Sequence, residues 1–125
     1  MPIDATAPYD DQNVFAKILR GEVPNNTVYE DEWALAFHDI APAAPIHVLV
    51  IPKGSYVSWD DFSATAGADE IAGFVRAVGH VARELELVEP GHRLLVNVGQ
   101  NGGQEIPHLH VHLFGGASLG PMLSR

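Results

Sequence analysis

A single α+β domain of five short strands and two helices is what the sequence predicts. Three observations carry the prediction. One amphipathic stripe is long enough for a substantial helix. Several short β-rich runs are cut by Pro, Gly and acidic turn residues. Near the C-terminal end, the run His108-Leu109-His110-Val111-His112-Leu113-Phe114 alternates in strict strand period. With 125 residues and 46% apolar content the chain can bury one core. No repeat, low-complexity tract or linker calls for a second domain.

Residues 1–10 are polar, carry prolines and show no periodicity, so they are expected to form a flexible N-terminal arm, with the domain spanning 11–125. Val14, Phe15, Ile18 and Leu19 recur at helical spacing and Gly21 follows Arg20, which predicts a short helix over 11–20. Strands are expected over 27–30 and 33–38, turning at Asp31-Glu32, and over 46–51 between Pro45 and Pro52. From Ile71, the positions Phe74, Val75, Val78, Ala82 and Leu85 share one face and predict the long helix over 67–86. The last strands, 93–98 and 108–114, flank Gln100-Asn101-Gly102-Gly103-Gln104, a loop that can return the chain antiparallel.

Composition narrows the function classes. The formal charge is −9, from seven Lys and Arg against sixteen Asp and Glu, and such a chain is repelled by a nucleic-acid backbone; a small nucleotide in a pocket remains compatible. There is no cysteine, hence no disulfide framework, which suits a reducing cytoplasm. The start Met1-Pro2-Ile3-Asp4 lacks a basic and an apolar leader region, and no apolar run approaches the roughly 20 residues that span a bilayer. The expectation is a cytoplasmic protein with neither nucleic-acid nor membrane partners.

The chemistry concentrates in the histidine run. At strand spacing His108, His110 and His112 share one face while Leu109, Val111 and Leu113 enter the core on the other. Imidazole titrates near neutrality, so each can act as nucleophile, proton carrier or hydrogen-bond donor. A metal site is the competing reading, limited by geometry: backbones four residues apart on a strand lie about 13 Å from each other. Two of the three could share a zinc ion, with a further ligand such as His47.

The preceding loop has two readings. Gly102 and Gly103 can simply serve a turn; alternatively Gly99, Gly102 and Gly103 bring backbone N–H groups to a phosphate, with Asn97 and Gln104 adding side-chain donors. No Lys or Arg lies between 94 and 124, so a triphosphate clamp is missing from this segment. One reacting phosphorus, held by amides and imidazoles, fits better.

These residues resemble the histidine-triad (HIT) family, whose signature is His-φ-His-φ-His-φ-φ with φ apolar. The resemblance runs from about Val14 to Leu123 through Phe37-His38-Asp39-Ile40, Pro45-Ile46-His47, Asn97-x-Gly99 and Gly102-Gly103-Gln104. The closing Gly115-Gly116 and Leu119-Gly120-Pro121-Met122 are similar to bacterial members of its Hint branch, the nucleoside phosphoramidases. The resemblance implies a five-stranded antiparallel sheet with one long and one short helix, continued across a homodimer through the long helix and the strand over 93–98.

For activity, the resemblance implies hydrolysis of purine nucleoside 5′-phosphoramidates through a nucleotidyl-histidine. His110 would attack the α-phosphorus, His112 would assist charge and proton transfer, and His108 and His47 would orient the nucleophile. Asn97, Gly103 and Gln104 would hold phosphate oxygens, and Asp39 would accept the ribose hydroxyls, although a turn role before Ile40-Ala41-Pro42 also suits it. Val14, Phe15, Ile18, Phe37, His38 and Ile40 would enclose the purine; without the resemblance, Val14, Ile18 and Phe37 read as core. Glu105 would face the leaving group, where a carboxylate favours a cationic amine such as a lysine substituent. Ala117 replaces an arginine common after the Gly-Gly pair, and Asn13 and Ala16 stand where some relatives have zinc-binding cysteines, so no metal or other cofactor is expected. Two other functions remain: a dinucleoside polyphosphate hydrolase, separable by its substrate, and a nucleotide-binding scaffold dimer with incidental activity.

Overall fold

Asn13 decides where the chain first turns helical. In this structure, a computed structural model that describes residues 3–123, the Asn13 side chain accepts the Ala16 N–H at 2.9 Å and caps α1 (Val14–Leu19). The helix therefore starts later than the 11–20 predicted. Gly21, at φ 78°, releases the chain just past Arg20.

The next strands, β1 (Thr27–Glu30) and β2 (Ala34–His38), turn about Asp31, whose Oδ1 accepts the Trp33 N–H at 2.8 Å and the Ala34 N–H at 2.9 Å. This turn takes Trp33 out of the strand predicted over 33–38. After β3 (Ile46–Pro52) comes an unpredicted helix, α2 (Trp59–Thr65), begun by a reciprocal capping box between Ser58 and Asp61. The long amphipathic helix, α3 (Ala68–Glu84), lies where 67–86 predicted it. Then follow β4 (Arg93–Leu95), a helical turn α4 (Gly99–Gly102), and β5 (Val111–Gly115).

The sheet is antiparallel throughout, in the order β1-β2-β3-β5-β4, which is the five-stranded α+β arrangement expected. Its two faces divide the work. One packs Ala34, Ala36, Val48, Val50, Leu109, Val111 and Leu113 against Phe62 of α2 and Phe74, Ala77, Val78 and Val81 of α3. Burying Phe62 and Phe74 contributes about 1.5–3 kcal/mol each. The other face sets Leu35, Phe37, Leu49 and Ile51 against Phe15 and Ile18 of α1, and the histidines emerge on this side.

Two predicted strands are shorter than expected. The one over 93–98 stops pairing at Leu95, because the chain leaves the sheet edge and carries Asn97 to a cavity wall. The one over 108–114 pairs only from Val111; ahead of it the Leu109 N–H donates to the Tyr56 carbonyl at 2.9 Å. Alternation survives outside the ladder, since Leu109 joins the core with Val111 and Leu113. No helix among the described residues is long and apolar enough to cross a membrane.

Candidate active site

The register of β3 against β5 puts Leu49 opposite His112 and His47 opposite Phe114, so His47 and His112 are diagonal neighbours on one face. Their rings lie 5.2 Å apart, His112 is 5.0 Å from His110, and Phe15 of α1 meets His110 edge-on at 5.1 Å. Around them is a cavity of about 360 Å³ walled by Phe15, Asp39, His47, Asn97, Gly103, Glu105, His110 and His112.

Hydrogen-bond partners set the tautomer of every histidine here. The His110 Nδ1–H donates to the His108 carbonyl at 2.7 Å; a carbonyl only accepts, so the His110 lone pair resides on Nε2. No buried side-chain nitrogen or oxygen among the described residues lacks a partner, so Nε2, which has none, opens on the cavity. His47 accepts the Ala43 N–H on Nδ1 at 3.1 Å, which leaves its proton on Nε2, 2.9 Å from His112 Nδ1. His112 accepts that proton's hydrogen bond and retains its own N–H on Nε2. His108 donates through Nε2 to the Pro52 carbonyl at 2.9 Å.

Burial keeps these rings neutral. It pushes the His110 pKa below the ordinary imidazole value, partly offset by the His108 carbonyl and the charges of Asp39 and Glu105. Burial, then the neighbouring His110 and His47, lower His112 to about 4; burial also lowers His108 to about 4 and, against Asp39, lowers His47. The arrangement is a neutral imidazole nucleophile with a neutral N–H donor beside it.

Asp39 shapes the turn, its Oδ1 accepting the Ala41 N–H at 2.8 Å, while its Oδ2 lies 3.4 Å from His47 Nε2. It also lines a second cavity of about 360 Å³, contiguous with the first through Phe15, Asp39, Ala41, Leu49, Glu105 and Ile106. Val14, Ile18, Phe37, His38 and Ile40 lie here too, with Ile40 fully exposed at the rim and Phe15, Ile18 and Phe37 buried. Among the described residues, no Lys or Arg lines either space. Asp39, His47 and His112 each offer a ligand atom, all within 4.8 Å of one another, a set that could bridge a divalent cation.

Gln104 is placed differently from expectation. Its carboxamide oxygen accepts the Gly99 N–H at 3.0 Å, and its amide donates to the carbonyls of Val57 at 2.7 Å and Ile106 at 3.0 Å. It is buried and lines neither cavity; it braces the loop that presents Asn97 and Gly103, its amide already committed to those two carbonyls. Gly103 takes a left-handed φ of 75°, which a side chain would strain. The sequence reading missed Leu49, Ala41 and Ile106 as lining residues; the alternation through His47 in β3 was the available signal for Leu49.

The HIT domain profile matches residues 20–119 of the chain. The chain belongs to the HIT family. This HIT protein is 61% identical over 117 residues to an uncharacterised HIT-like protein of Azospirillum brasilense, covering 94% of this chain and 96% of that one. It is 39% identical over 114 residues to the purine nucleoside phosphoramidase of Escherichia coli K12, covering 91% and 95% of the two chains. Among solved structures, a HIT family hydrolase from Clostridium thermocellum shares the fold with a TM-score of 0.82 at 39% identity, over 91% of this chain and 98% of that one.

Proposed function

We propose that this HIT protein hydrolyses the P–N bond of purine nucleoside 5′-phosphoramidates of the AMP-amine or AMP-lysine type. The observation that carries the reading is the tautomer lock on His110, which gives Nε2 a free lone pair at neutral pH in the cavity. Nε2 attacks the α-phosphorus, an N–P bond forms, and the bond to the amine breaks. The departing nitrogen takes a proton that solvent delivers to the site, while His112 stays neutral and its Nε2–H donates a hydrogen bond to the phosphoryl group. Water then attacks the phosphorus, gives up a proton to solvent, and restores the His110 lone pair as the nucleoside monophosphate leaves.

Asn97 and the Gly103 backbone hold phosphate oxygens, Asp39 binds the ribose, and the apolar second cavity takes the purine between Phe15, Ile18 and Phe37. Glu105 borders both spaces and faces the amine, favouring a cationic substituent. The working unit in this reading is a cytoplasmic homodimer. Its support is the short edge strand β4 with Leu94 half-exposed, beside Trp59 and Val75, which are exposed on the same apolar groove.

The test is hydrolysis of an adenosine 5′-phosphoramidate carrying a fluorescent amine, with chelator present, by the native chain and by His110→Ala. Turnover lost in the variant, with AMP binding retained, supports the reading. Retained turnover overturns it, and faster cleavage of diadenosine polyphosphates by the native chain would move the substrate class.

A further inference from the structure

The N-terminal arm carries one residue that no cavity explains. Tyr9 lies ahead of the first helix, yet its hydroxyl is 2.6 Å from His108 Nδ1, and the two rings meet edge-on at 5.6 Å. His108 is wholly inaccessible to solvent. Its Nε2–H is committed to the Pro52 carbonyl, so its Nδ1 carries a lone pair that would be stranded in the interior without a donor. The Tyr9 O–H supplies that donor. Burial raises the Tyr9 pKa, so the hydroxyl keeps its proton.

We propose that Tyr9 is a positioning residue for His110, acting through His108. The His108 ring is held at both nitrogens, by Tyr9 and by Pro52, and the Leu109 N–H is held by the Tyr56 carbonyl. The peptide between these anchors presents the His108 carbonyl to the His110 Nδ1–H at 2.7 Å. Loosening one end of the His108 ring therefore loosens the group that keeps the proton on Nδ1 and the lone pair on Nε2. Tyr9 lines neither cavity, so substrate binding is separate from this effect. Earlier in the arm, Ala5 lies beside Gly99, where an added Cβ would be 3.7 Å from it.

The inference rests on the phosphoramidase reading for its kinetic consequence and on imidazole geometry for the rest. Tyr9→Phe keeps the ring and removes only the donor. Steady-state hydrolysis of the fluorescent adenosine phosphoramidate should show kcat falling about tenfold, with KM and AMP affinity within about twofold of native. Imidazole ¹⁵N spectra of the folded variant should show His108 Nδ1 moving to the position of a lone pair without a hydrogen bond, and the His110 nitrogens shifting with it.

A kcat within about twofold of native overturns the proposal, as does a joint loss of kcat and AMP affinity with a lowered melting temperature, which marks a merely structural role. If the native chain shows no phosphoramidase turnover, the function reading fails and the spectra still decide. Shifted His110 nitrogens in Tyr9→Phe then sustain positioning, and unshifted ones overturn it.

Discussion

Replacing Gln104 with alanine removes three hydrogen bonds at once, to the Gly99 N–H and to the carbonyls of Val57 and Ile106, at a position only 4% exposed. A buried backbone group left without its partner costs about 1–3 kcal/mol, and a water molecule entering the space would recover part of that. A net loss of about 2–4 kcal/mol follows. In a domain of this size that lowers the melting temperature by roughly 8–15 °C. Because the side chain faces the loop interior, the weaker AMP binding expected of the variant comes from a disordered Asn97–Gly103 wall, and at low temperature it stays within about fivefold of native. Scanning calorimetry paired with AMP titration calorimetry reads both quantities. A variant that melts with the native chain and loses AMP affinity more than tenfold would refute the bracing role and return Gln104 to the phosphate.

Three further outcomes follow from the same geometry. His108 titrates at about 4 in the folded chain against 6.5 as an ordinary imidazole, so the unfolded chain binds more protons between those values. Stability is full above about pH 6.5 and falls as pH drops towards 4, by about 3 kcal/mol from His108 alone, with His112 acting in the same direction. Urea midpoints taken across this window check the slope, and flat stability contradicts it. Leu94→Lys places a charge on the apolar edge of β4 and should convert a dimer to monomer in sedimentation at micromolar concentration; an unchanged sedimentation coefficient removes the edge from the interface. Zinc should inhibit by bridging Asp39, His47 and His112, since the 2.9 Å between the imidazole nitrogens needs to open only a few tenths of an ångström to fit zinc's usual bond lengths. Chelator should restore the rate, and indifference to added zinc would show that the set does not bind it.

The sequence made the strands and the histidine face legible because period-2 alternation is a local signal: Leu109, Val111 and Leu113 had to share one side and His108, His110 and His112 the other. The meeting of His47 with His112 was not legible from spacing, since it depends on a register between strands 65 positions apart. Nor was Tyr9, whose hydrogen bond to His108 spans 99 positions and whose segment has no periodicity. The helix α2 did leave a trace in Ser58-x-x-Asp61 before Phe62, a capping box with aspartate in the usual glutamate position. Gln104 shows the opposite failure. A glycine-rich loop with a polar side chain looks like a phosphate cradle, and only burial distinguishes a donor aimed outwards from one consumed by the loop's own backbone.

The central claim is that His110 Nε2 bonds to phosphorus, and trapping that bond tests it most directly. Native protein mixed with an adenosine 5′-phosphoramidate, quenched in alkali within milliseconds and analysed by intact mass and peptide mapping, should carry one nucleotidyl group on the peptide holding His110, absent in His110→Ala. Steady turnover with no adduct on any histidine, or an adduct that persists in His110→Ala, would contradict it.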